Sequence, residues 1–189
     1  VDAGWLRGAI AVWSGGYALY RGYYAAGGTW GLPGVVRAAA HGQFMVINAA
    51  AVVVLLVAAA VPFVTNLAGP ADRMRQLLSV LCWLAFVGCC MHAVVDGIDR
   101  VLSLSGELQV TYPFTLWESI DRRAADLQDL LGNEPWFLVE GVLFGALGWA
   151  NVDPPHRRSW LFTALAAIAA LTVLGVLSAT GVIGRFVVG

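Results

Sequence analysis

Leu77-Leu78-Ser79-Val80-Leu81-Cys82-Trp83-Leu84-Ala85-Phe86-Val87-Gly88-Cys89-Cys90-Met91-His92-Ala93-Val94-Val95-Asp96-Gly97-Ile98-Asp99-Arg100 decides how this chain must fold. Its first twenty or so residues are apolar enough and long enough to cross the hydrocarbon core of a bilayer as a helix. The run then closes on His92, Asp96 and Asp99, at helical offsets of zero, four and seven. One helix face therefore carries three titratable groups near membrane depth. Ionisable side chains there cost a few kcal/mol or more, and they usually turn toward a protein interior or a wet cavity.

The rest of the chain has the same character. Of its 189 residues 59% are hydrophobic and 12% charged, with a mean hydropathy of +0.75. A soluble domain is about 25% charged. Apolar segments of spanning length occur near 9–27, 43–65, 77–98, 135–151 and 159–183. The expected fold is thus all-α: one transmembrane domain over residues 1–189, a polytopic helical bundle of about five spans embedded in a lipid bilayer. The segment 135–151 is the shortest and contains Glu140, and Arg21 near the end of the first span can snorkel to the interface. The first apolar run has span length and does not read as a cleaved signal.

Several function classes drop out. Three cysteines, Cys82, Cys89 and Cys90, share one expected helix and form neither a disulfide framework nor a redox pair. With a net charge of −1 and no lysine, the chain has no basic patch for nucleic acid. Gly-rich phosphate loops are also missing. Oligomeric state is not legible.

Alternating the five spans collects Arg21, Tyr23, Tyr24, His41, His92, Asp96, Asp99, Asn133 and Glu134 on one side, with Glu140 one and a half turns further in. The opposite side receives two short arginine-bearing loops, 66–76 and 151–158, which the positive-inside rule assigns to the cytoplasm. Between residues 100 and 134, the pattern over Leu116–Leu131 predicts an amphipathic interfacial helix. Its apolar residues are Leu116, Ile120, Leu127, Leu130 and Leu131, and its charged ones include Glu118, Asp121, Arg122 and Asp126. Gly27–Gly34 reads as a turn-rich connection with an interfacial Trp30.

The candidate catalytic residues are Asp96, Glu140, His92 and Asp99. A carboxylate among apolar groups holds its proton toward neutral pH, as a general acid must. Arg100 directly follows Asp99 and is expected to neutralise it, which leaves Asp96 as the stronger acid, with His92 one turn away to orient or reprotonate it. Glu140, four residues from both Trp136 and Phe144, is too far inside its helix to act as a cap, whereas Glu134 beside Pro135 has the place of a helix-start acid. Trp13, Tyr17, Tyr20 and Tyr24 form an aromatic stripe that would hold a substrate or a cation, and His41, Asn48, Glu134, Trp136 and Phe144 complete the expected substrate-binding set. Such a one-sided pocket suits a hydrophobic, isoprenoid-like substrate undergoing acid–base chemistry. Asp96 or Glu140 would protonate an alkene or epoxide, the aromatic rings would stabilise the cation, and the other carboxylate or His92 would remove a proton.

The span layout, the acids at helix ends and the segment from Asn133-Glu134-Pro135-Trp136 to Glu140 resemble the small bacterial integral-membrane terpene cyclases of indole-sesquiterpenoid pathways and their multi-span relatives. That resemblance implies proton-initiated cyclisation of a prenyl chain in a bacterial cytoplasmic membrane, with no metal and no cofactor. The Asp-x-Asp-Asp motif of soluble class II cyclases is absent, and Asp96-x-x-Asp99 is too short a match to diphosphate-binding acids. Two competing readings stand beside it. His41 and His92 could share a metal ion or haem with Asp96 or Glu140, or the acids could serve a transporter or assembly subunit. Gly141, Gly145 and Gly148 are the expected helix-packing residues.

Overall fold

The computed structural model describes residues 3–66, 71–108, 112 and 115–183, of which most are helical, 83% in all. Residues 67–70 of the expected loop 66–76 lie outside these. Five helices of 18 residues or more make the bundle: α1 Ala3–Ala25, α2 His41–Ala60, α3 Ala71–Ser105, α5 Glu134–Asn151 and α6 Arg157–Ala179. The short α4, Arg122–Gln128, lies between α3 and α5. Three stretches are long and apolar enough to cross a membrane, Ala38–Phe63, Asp72–Ser105 and Pro154–Ala179. They cover α2, α3 from Asp72 onward, and α6.

With 35 residues, α3 is about 52 Å long, well beyond a hydrocarbon core of about 30 Å. It runs straight through Asp99 and Arg100, past the expected end of the span at 98. Its stop is Gly106, whose φ of +85° is open to a residue without Cβ. The Glu107 N–H donates to the Leu102 carbonyl at 3.0 Å and the Gly106 N–H to that of Ser103 at 3.1 Å, the two bonds of a Schellman cap. The extra turns carry the stripe His92, Asp96, Asp99 onward to Ser103.

Packing is tightest between α3 and α5. A Cβ on Gly141 would stand 2.6 Å from Cys90 Sγ, and one on Gly148 would meet Trp160 at 2.6 Å and Cys82 Cβ at 2.9 Å. The core beside this seam is Leu6, Ile10, Leu78, Cys82, Phe144 and Leu147. Outward faces are apolar on α2 (Val46, Val53, Val57) and on α6 (Phe162, Leu165, Val173), as a bilayer requires. In contrast α1 and α5 turn residues such as Ser14 and Glu140 inward.

The segment before α5 departs from the expected amphipathic helix over 116–131. Trp117–Ile120 is instead a strand, β2, paired antiparallel with β1, Gly34–Val36, so that Gly34 faces Ile120 and Val36 faces Trp117. This two-stranded sheet is the one departure from an all-α fold among the described residues. Helix begins only at Arg122, where the Asp121 carboxylate accepts from the Ala124 N–H at 3.1 Å. After α4 a π-helical turn, Asp129–Asn133, leads directly into α5. The expected polarity is also reversed here: Asp126 is 2% exposed and Leu131 73%.

The reversal has an electrostatic cause. Arg100 reaches Asp129 at 3.0 Å and Asp126 at 3.4 Å, while Ser103 and Tyr112 hydroxyls donate to Asp126 at 2.6 and 2.7 Å. Arg100 also donates to the Tyr112 hydroxyl at 3.1 Å. Burial, and next the bond to Asp126, push the Tyr112 phenol above its ordinary pKa, so it remains a donor. The expected Arg100–Asp99 neutralisation gives way to these pairs.

Two stability measurements follow. Asp126→Ala removes the acceptor of two hydroxyls and one of the two carboxylate partners of Arg100 and should cost about 3 kcal/mol in detergent unfolding, whereas Leu127→Ala should change it by less than about 0.5 kcal/mol. Gly148→Ala forces a methyl against Cys82 and Trp160 and should cost about 1–3 kcal/mol in the same assay.

Candidate functional site

A cavity of about 410 Å³ lies where α1, α2, α3 and α5 face one another. Tyr17 and Arg21 of α1 form one wall, and Ala51, Val54 and Leu55 of α2 form an apolar one. His92, Asp96 and Arg100 enter from successive turns of α3, and Asp129, Asn133, Glu134 and Phe137 from the π turn and the start of α5. The α2 side is open, since Val54 is 66% exposed although it lines the cavity. The α2 stretch that borders it, Ala38–Phe63, is the most apolar of the three long and apolar enough to cross a membrane.

Three titratable groups converge inside. His92 Nε2 lies 3.4 Å from Asp96 Oδ2 and 3.8 Å from Glu134 Oε2. Glu134 is 6% exposed, and its Oε2 has no hydrogen-bond partner. The His92 ring is held edge-on by Phe137 at 4.4 Å. Along the α1 side runs a continuous aromatic stack. Trp13 and Trp136 overlap at 4.1 Å, Trp136 and Tyr17 at 5.3 Å, and Tyr17 and Tyr20 at 5.6 Å. Trp13 Nε1 donates to the Trp136 carbonyl at 3.1 Å, fixing the stack to the first turn of α5.

Tyr17 joins the cavity to the ion-pair network. Its hydroxyl donates to Asn133 Oδ1 at 3.1 Å, and Asn133 Nδ2 donates to Asp129 at 2.6 Å, the carboxylate that Arg100 grips. A second cavity of about 210 Å³ shares Arg21, Asp129 and Asn133 with the first and contains Tyr20, Tyr24 and Asn48. Asn48 donates to the Phe44 carbonyl at 2.8 Å and leaves its buried Oδ1 without a partner.

Comparison with protein-family models, curated proteins and solved structures finds no match for this chain. Function therefore rests on the site itself.

The residues singled out in the sequence separate into groups. His92, Asp96, Glu134 and Tyr17 share the larger cavity, and Tyr20, Tyr24 and Asn48 the smaller. Trp13 and Trp136 back Tyr17 without lining either. Glu140 lies elsewhere: it is 3% exposed, accepts from the Ser14 hydroxyl at 2.8 Å, and lines neither cavity. Phe144 belongs to the hydrophobic core. Asp99 stands on the α3 stripe but lines neither cavity, and its Oδ1 is buried without a partner. His41 packs near Phe44, at 6.5 Å between ring centres, and is not among the groups around His92. Sequence reasoning gave Asp129, Asn133 and Phe137 no role, although the Asp129/Asn133 spacing of four was available as a signal.

The arrangement can move protons. An imidazole stands between two carboxylates, one of them buried, beside an apolar wall and a π surface that stabilises a desolvated cation by about 2 kcal/mol. Arg21 lines both cavities and makes no ion pair among the described residues. It is available to an anionic or polar end of a bound molecule. Leu55→Trp, which fills the cavity from the α2 side, should abolish retention of co-purified apolar ligand while leaving the melting temperature within a few degrees, a result native mass spectrometry in mild detergent reads directly.

Proposed function

We propose that this chain is a membrane-embedded enzyme that performs acid–base chemistry on an isoprenoid or other lipid-like substrate, with α1 and α5 as the fourth and fifth spans of the bundle. The observation that carries the proposal is the buried, unpartnered Glu134 facing His92 and Asp96 in a cavity whose α2 side is apolar and open. A water-soluble substrate would have no use for an opening on that side. A prenyl chain enters there and lies along Tyr17 and Phe137.

The reaction best suited to these parts is proton-initiated isomerisation or cyclisation. The His92, Asp96 and Glu134 group delivers a proton to an alkene, and the resulting carbocation is stabilised by the Tyr17 ring and the Trp136–Trp13 stack behind it. Loss of a proton from a neighbouring carbon back to the same group completes the turnover. The resemblance to small bacterial membrane terpene cyclases supports this reaction class and a bacterial cytoplasmic membrane. In this scheme Glu140 is a packing residue tied to Ser14 rather than a second acid.

Mass spectrometry of lipids that co-purify in mild detergent tests the proposal without a prior choice of substrate. Glu134→Gln and Asp96→Asn should lower the ratio of rearranged product to precursor by about 100-fold or more, the usual scale for removing a general acid or base. Glu140→Gln should retain the wild-type ratio. Full turnover in Glu134→Gln, or only bulk phospholipid in every preparation, would overturn the reading.

A further inference from the structure

The spacing of the cavity-facing groups does not fit a simple relay of hydrogen bonds. His92 Nε2 stands 3.4 Å from Asp96 Oδ2 and 3.8 Å from Glu134 Oε2. Good N–H···O bonds fall at about 2.7–3.2 Å, and Nε2 carries at most one hydrogen, so it cannot serve both carboxylates. Atoms bound tetrahedrally at about 2.1 Å to one ion lie about 3.4 Å from one another, close to the first of these spacings. All three ligand atoms lie within 4.8 Å of one another.

Charge balance points the same way. Asp96 and Glu134 bring two carboxylates to one spot, and no arginine forms an ion pair with either among the described residues. Arg100, the nearest cation on α3, is committed to Asp126 and Asp129, and Arg21 on the α1 wall of the cavity makes no ion pair with Asp96 or Glu134. Glu134 is 6% exposed, and its unpartnered Oε2 is the atom aimed at His92. A carboxylate oxygen buried without a partner is costly, and a cation would supply the partner it lacks.

We propose that His92 Nε2, Asp96 Oδ2 and Glu134 Oε2 hold one first-row divalent cation of the zinc, manganese or ferrous class at the wall of the larger cavity. One imidazole and two carboxylates suit these ions, and no thiolate is present to select copper(I) or an iron–sulfur cluster. Three protein ligands leave a position open toward the cavity, the pattern of a catalytic rather than a structural ion. The site stands on its own geometry; its use in lipid chemistry rests on the function proposed above. In that use the proton comes from water on the ion. The water gives a proton to the substrate alkene and becomes hydroxide, and the hydroxide takes a proton back from a neighbouring carbon. No oxidant or reductant enters, and the substrate keeps its composition.

The experiment is metal analysis of the full-length chain in detergent, after chelation and reloading with Zn²⁺ or Co²⁺, followed by removal of free ion. The wild type should retain about one equivalent, and the Co²⁺ form should show visible d–d bands. His92→Asn, Asp96→Asn and Glu134→Gln should each weaken Co²⁺ binding by about 100-fold or more, above the loss from removing an outer-shell partner. Wild-type protein that retains no stoichiometric ion, or a properly melting triple variant that binds Co²⁺ as wild type does, would overturn the site; the first needs no variant to fold. Turnover of the co-purified lipid that survives complete chelation would overturn the ion's part and leave the acid–base function standing. One equivalent of Co²⁺ without any lipid product would do the reverse.

Discussion

Arg100 is the residue around which this structure is organised. A guanidinium on α3, beyond the apolar stretch that begins the helix, needs carboxylate partners once it is shielded from water, because a lone buried charge is among the most destabilising features a fold can contain. The partners come from α4 and the π turn. Asp126 and Asp129 draw that segment onto the end of α3, and Ser103 and Tyr112 complete the donors that a buried Asp126 requires. An ion pair of this kind adds little net stability over an apolar contact of equal size. What it supplies is register, since Asp126 and Asp129 are both fixed against one guanidinium.

The site inherits that register. Asp129 is gripped on one side by Arg100 and holds Asn133 on the other, and the next residue, Glu134, opens α5. A shift of one residue in the π turn would rotate Glu134 by about 100° around the helix and away from His92. Close packing of α3 on α5 at Gly141 and Gly148 fixes the same two helices further along, so the buried carboxylate is held at both ends of the seam. The chain thus places two carboxylates and an imidazole together through contacts made outside the His92, Asp96 and Glu134 group. That is the support a preorganised site needs.

How much of this was legible in the sequence depends on whether the governing contacts are local. The α3 stripe was, because offsets of four and seven put His92, Asp96 and Asp99 on one face of any helix. The ion-pair partners of Arg100 were not, because Asp126 and Asp129 come from a segment 26 or more residues further on, outside any local window. Residues 116–131 carry a helical pattern, yet Trp117–Ile120 forms a strand because β1, more than eighty residues earlier, offers a pairing edge. No window of local sequence contains that partner. Glu140 was correctly expected to turn inward, but periodicity cannot say what it meets there. Ser14 on α1 meets it, and the cavity lies on another face of α5.

A remaining tension lies in the cavity itself. Polar groups in hydrocarbon are normally satisfied within the protein, and several here are: Arg100 pairs with two acids, Glu140 Oε1 accepts from Ser14 and Tyr17 donates to Asn133, whereas Glu140 Oε2, Asp99 Oδ1 and Asn48 Oδ1 share with Glu134 Oε2 the lack of a hydrogen-bond partner. The same sequence that satisfies Asp126 with three donors, Arg100, Ser103 and Tyr112, leaves Glu134 Oε2 without a hydrogen-bond partner. Glu134 stands in the first turn of α5, where an acid meets the positive end of the helix dipole, but that role does not require its Oε2 to lack a hydrogen-bond partner. Local strain and unmet polar groups of this kind collect where a molecule is meant to bind. A ligand at the proposed site would supply the hydrogen-bond partner that Glu134 Oε2 lacks.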